Sequence, residues 1–133
     1  MLGGLMQKKI VNLTPHPLII QRTCPVCHGQ GCEDCQQGVI TETIESSGIV
    51  RVEVTETVVG EFAGVPVVRI EFGRVIGLPD QSFEPGSGFV VSSLAAQAAI
   101  RENPFRIDIF VPARLVRDAQ GRIVACTALA RLN

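Results

Sequence analysis

The stretches IVRVEVTETVV, residues 49–59, and VPVVRIEF, residues 65–72, decide the fold class. In the first, Val50, Val52 and Val54 alternate with Arg51, Glu53 and Thr55; in the second, Val68, Ile70 and Phe72 stand against Arg69 and Glu71. A period of two sends successive side chains to opposite faces of an extended chain, whereas a helix needs a period of about 3.6. Residues 61–64 supply a turn, so the pair is expected to form a β-meander with a half-buried apolar face.

Working outward, GVITETI at 38–44 alternates in the same way, and KIVNLTPHPLIIQR at 9–22 is β-rich but interrupted by Pro15 and Pro17. Proline within a sheet is confined to an edge, a bend or a strand end. Downstream, LPDQSFEPGSG at 78–88 predicts one long loop with Phe83 as its apolar anchor. The stretch SSLAAQAAIREN at 92–103 predicts a helix, with Ser92 as N-cap, Ala and Leu inside, and Asn103-Pro104 as the stop. FRIDIFVP at 105–112 returns to strand, and Ala119-Gln120-Gly121 turns LVRD back into RIVACTALARL. The expected architecture is one β-dominated α+β domain over residues 1–133, with about seven mostly antiparallel strands and one short helix.

The segment TCPVCHGQGCEDCQQG, residues 23–38, holds four of the five cysteines. Cys24 and Cys27 form one Cys-x2-Cys pair and Cys32 and Cys35 another, the spacing with which four thiolates close a tetrahedron around Zn2+. Pro25, Gly29, Gly31 and Gly38 stand where a metal-wrapped backbone has to turn. Because strand patterns flank it, the segment is expected to be an insertion that makes a zinc-tipped β-hairpin, with the ion replacing a hydrophobic cluster too small to fold. His28 in place of one sulfur, two disulfides, and redox Cys-x2-Cys chemistry are the competing readings. The disulfide reading wants an oxidising compartment, which the absence of a secretory signal in MLGGLMQKK and the odd Cys126 oppose. Cys126 lies in an apolar strand and is expected to be a small buried hydrophobe.

The formal charge is −1, from 12 Lys and Arg against 13 Asp and Glu, so no broad cationic surface exists to neutralise a nucleic-acid backbone. No apolar run approaches the roughly 18 residues of a membrane span. A soluble, cytosolic protein with no membrane association is the resulting expectation.

CPVCHGQGCEDCQQG resembles the Cys-x2-Cys-x-Gly-x-Gly element of DnaJ-type zinc centres, with the two pairs run together. The resemblance supports zinc and carries no chaperone function. VNLTPHPLII, VIGLP, FVVSS, RIDIFVP and VRDAQGRIVAC are similar to a group of small uncharacterised bacteriophage and prophage proteins. That similarity covers nearly the whole chain apart from 23–38 and implies a phage-type setting and a place in the cytosol of a bacterial host, without implying an activity.

Outside the cysteines, candidate ligand-binding residues are His16, Ser92, Ser93, Arg106, Arg114 and Arg117. A helix N-terminus attracts anions and arginine grips phosphate bidentately, so these residues could cradle a small nucleotide. Ser92 or Ser93, His16 and Asp108 also supply the residue types of a hydrolase, but no Gly-x-Ser-x-Gly elbow surrounds the serines. The leading expectation is a non-enzymatic binding or assembly protein whose zinc hairpin contacts a host or phage protein. A protein that sequesters a nucleotide immune signal and a small hydrolase are the alternatives. A β domain this small, rich in edges, is also expected to pair with a copy of itself.

Overall fold

The computed structural model describes residues 8–24, 26–28, 30–33, 38–80 and 86–133. The order of elements is β1 (Lys9–Asn12), β2 (Leu18–Thr23), β3 (Val39–Ile44), β4 (Arg51–Phe62), β5 (Val65–Ile76), β6 (Ser87–Val90), α1 (Ser93–Glu102), β7 (Ile109–Arg117) and β8 (Ile123–Ala130). This is a β-dominated α+β chain, with one helix among the described residues. Among the described residues, six strands form a sheet in the order β1-β6-β7-β8-β2-β3, while β4 and β5 pair only with each other. The antiparallel ladders β2/β3, β7/β8 and β4/β5 carry most of the register. Shorter parallel contacts join β1 to β6, β6 to β7 and β2 to β8.

The sheet curls until its two edges meet at one end, where Asn12 of β1 bridges Ser46 just beyond β3. Asn12 is fully buried and fastens this seam. Its Nδ2 donates to the carbonyls of His16 (2.7 Å) and Ile44 (2.9 Å), and its Oδ1 accepts from the Thr14 N–H (3.0 Å) and hydroxyl (2.6 Å). The Thr-Pro-His-Pro segment is therefore the bend between β1 and β2 that its prolines predict.

Side-chain alternation on β6 and β7 feeds two cores, one on each face of the sheet. Phe89, Val91 and Ile109 pack with Ala95, Ala96 and Ala99 of α1, against Leu13 and Val50. Val90 points the other way, into the curl, where Leu18, Ile20 and Cys126 meet it together with Phe110 and Leu129. The helix starts where expected: Ser92 Oγ accepts from Ala95 N–H at 3.3 Å, and Asn103 closes the last turn with its N–H on the Ala99 carbonyl. Its alanines allow the close approach to the sheet.

The structure corrects several expectations. The β4–β5 ribbon is antiparallel as expected, turned by Ala63 and Gly64 at positive φ, a two-residue loop of the type that matches strand twist. Its apolar face is not half-buried along its length, however. Only Val50, Val52 and Val75 at the base reach the core, whereas Val54, Val58, Ile70 and Phe72 stay exposed. Ser87 and Gly88, read as loop, belong to β6, and the expected Phe83 anchor lies outside the described residues. The strand expected from Phe105 begins only at Ile109; Phe105 is 88% exposed.

Candidate metal centre

Strands β2 and β3 pair in register from Leu18↔Ile44 to Thr23↔Val39, and the Cys24 N–H closes the hairpin on the Gly38 carbonyl at 2.8 Å. The cysteine-rich segment therefore occupies the tip of this hairpin. Beyond Cys24 the chain makes two tight turns, with His28 N–H on the Cys24 carbonyl (2.9 Å) and Gln30 N–H on the Cys27 carbonyl (3.1 Å). His28, Gly31 and Gly38 take positive φ, which the two glycines accept without strain.

These turns bring the sulfurs of Cys24, Cys27 and Cys32 within 4.8 Å of one another, a cluster able to hold a metal ion. Cys24 is completely buried, and its Sγ lies 3.8 Å from that of Cys32. The Gly31 N–H donates to Cys27 Sγ at 3.1 Å, a bond that favours the thiolate form a metal requires. The ring of His28, weighed as a substitute ligand, is exposed and does not join the cluster. Cys35, the fourth cysteine of the expected set, lies outside the described residues, as do Pro25 and Gly29.

The other candidate residues do not converge on one site. His16 and Ser92 line one cleft of about 520 Å3, walled by Leu18, Val91, Pro112 and Leu115 and floored by Cys126. Burial pushes the Cys126 thiol up, with backbone hydrogen bonds opposing the shift. Arg114 lines a different cleft of about 620 Å3 beside Arg22 and Thr23, and it sits at φ 49 within β7. Arg22 there is already paired with Glu42 of the neighbouring strand. Ser93, the first helical residue, accepts a hydrogen bond from Gln97.

Arg106 is no surface anchor. It lies buried over the Phe89 ring, 5.8 Å from its centroid. Its Nε and Nη2 grip both carboxylate oxygens of Asp108 at 2.7 and 3.3 Å, and Nη2 also donates to the Pro79 carbonyl. Asp108, weighed as the acid of a hydrolase, has both carboxylate oxygens engaged by this guanidinium. Arg117 donates to the Gly121 carbonyl within the β7–β8 hairpin at 2.9 Å. The arginines expected to cradle a phosphate are thus distributed over a core ion pair, a second cleft and a turn.

Asn12 and the Arg106–Asp108 pair were the polar residues of most structural consequence. In the sequence, only the isolated polar residue within KIVNL and the i, i+2 charges of RID mark them. Comparison with protein-family models, curated proteins and solved structures finds no match to this chain. No helix among the described residues is long and apolar enough to cross a membrane.

Proposed function

We propose that the 23–38 loop is a structural zinc site closed by Cys24, Cys27, Cys32 and Cys35, and that the protein is a non-enzymatic binding or assembly module. In this reading the metal-stapled hairpin presents its tip to a protein partner of phage or host origin, in keeping with the phage-type sequence resemblance. The observation that carries it is the sulfur spacing. Two Zn–S bonds of about 2.3 Å at the tetrahedral angle hold their sulfurs about 3.8 Å apart, the separation found between Cys24 and Cys32. A disulfide would need about 2.05 Å.

Four thiolates leave zinc no position for a water or substrate, so the ion would act on shape alone. The apolar side chain within the first knuckle, Val26, is 63% exposed and available for contact. Elemental analysis of the purified protein should return one zinc per chain, and cobalt substitution should give the intense visible bands of a tetrahedral thiolate site. Cys24→Ser with Cys27→Ser should release the ion and loosen the hairpin while the β body still unfolds cooperatively. Absence of zinc, or a cobalt spectrum of higher coordination, would refute the metal reading. A protein partner that binds the zinc-free double variant as tightly as the native chain would refute the role of the tip.

A further inference from the structure

The β4–β5 ribbon has twelve residues in each strand, a reach of about 40 Å at about 3.3 Å per residue. Beyond its base it lies outside the chain's own hydrophobic cores. A lone two-stranded ribbon is marginal in water, and an uncovered apolar edge is a template for further pairing. The register places Val54 opposite Phe72, Glu56 opposite Ile70, and Val58 opposite Val68, so one face carries an apolar band with Glu56 on the β4 side. The opposite face carries Thr55 against Glu71 and Thr57 against Arg69. Neither Arg69 nor Glu71 has an ion-pair partner among the described residues.

The sequence of β5 around Ile70 is Val68-Arg69-Ile70-Glu71-Phe72. It is complementary to itself when run antiparallel. If Ile70 meets Ile70 of a second copy about a two-fold axis, Arg69 falls opposite Glu71 of that copy and Glu71 opposite its Arg69. Val68 then falls opposite Phe72 of the second copy, extending the apolar band across the junction on the other face. Strand β4 repeats this pattern only at its base, as Val50-Arg51-Val52-Glu53-Val54, where Val50 is buried in the core and its N–H bonds the Leu13 carbonyl. Centred on Glu56 it would set two carboxylates together, and it also carries Glu53 and Glu61 against the single cation Arg51. At the base of β5, the Val75 N–H is taken by Glu102 of α1 at 3.0 Å, so the free edge lies toward the tip.

We propose that two copies of this chain join through β5, pairing antiparallel about Ile70 to make a four-stranded sheet from two ribbons. The interface is isologous, so each charge substitution acts twice. It is independent of the sulfur cluster and survives failure of the zinc reading.

The test is analytical ultracentrifugation of the full chain with Arg69→Glu, Glu71→Arg and the double reversal, each checked by circular dichroism for an intact β fold. The native chain should be dimeric. Each single reversal should weaken the dimer about tenfold or more, because two attractive pairs become two repulsive ones, and the double reversal should restore it. Ile70→Lys should also give a folded monomer. A native chain that stays monomeric across the micromolar range would overturn the proposal and leave the ribbon to a different molecule. So would a dimer indifferent to both single reversals, which would place the contact on another surface.

Discussion

Replacing Arg106 with methionine keeps an unbranched stem over Phe89 but removes the charge. The carboxylate of Asp108, 10% exposed against 9% for the arginine side chain, would then be left without its cation. The Pro79 carbonyl would lose its donor as well. Stranding one member of a buried ion pair costs about 3–5 kcal/mol, a large part of the roughly 5–15 kcal/mol available to a whole domain. Urea denaturation followed by circular dichroism should show the midpoint falling by about 2 M, for a slope of about 2 kcal/mol per molar. The double variant Arg106→Met with Asp108→Leu should recover most of the loss, because an apolar pair of similar volume is often neutral or better than a buried ion pair. A single variant that loses under about 1 kcal/mol would refute the reasoning, since an uncompensated buried carboxylate is not that cheap. A double variant no better than Arg106→Met would refute it too, because the pair would then not be the coupled unit its geometry indicates.

Asn12→Ala removes four side-chain hydrogen bonds at the seam, including the one to the Ile44 carbonyl, so it should cost about 1–3 kcal/mol; faster amide exchange at Ser47, whose N–H bonds the Asn12 carbonyl, would mark the seam as the part that loosens. The Asp118 carboxyl is held below its usual value of 3.8, chiefly by the Arg122 backbone N–H, against a desolvation that pushes it up. Its contribution to the β7–β8 turn is therefore fully present above that usual value and is lost as pH falls through the lowered one. The amide shifts of Gln120 and Arg122 should titrate below 3.8, and a midpoint at or above it would contradict the assignment. Cys126, 2% exposed with its thiol pushed up by burial, should resist iodoacetamide in the native state and react once denaturant is added, as mass spectrometry can follow. In Gly88→Ala the new Cβ would stand 2.8 Å from Phe110 Cε2, so a destabilisation of about 1–3 kcal/mol is expected in thermal melts.

The helix, the Pro15–Pro17 bend, the β4–β5 ribbon and the hairpin carrying the cysteines were legible because local chemistry sets them. A serine cap with a downstream Asn-Pro stop, prolines without donors, and period-two alternation act over a few residues. Strand β6 is not legible in the sequence, because a short strand buried at Phe89 and Val90 merges with Val91 into a plain apolar run with no alternation to mark it. The exposure of the ribbon could not be read either, since alternation gives a strand two faces without saying whether anything covers them. The same limit applied to the arginines. Arg106 and Arg117 look alike in sequence, but the carboxylate and aromatic ring that make one a core residue come together only in the folded chain. In the cysteine segment the spacing alone indicated chemistry, because metal geometry is as local as a turn.

Strand β2 meets β8 at a single parallel rung, Ile20 with Cys126, whereas β7 and β8 share a ladder running from Val111↔Ala130 to Arg117↔Ile123. The cysteine hairpin is thus bolted to the body by side-chain packing and one rung, and sealed at its far end by Asn12. Such an attachment permits a swinging arm: under load, or when a partner pulls on the tip, the hairpin can part from the body while the β7–β8 hairpin keeps its shape. Single-molecule pulling from residue 28 should record this parting as an early, low-force step ahead of rupture of the core.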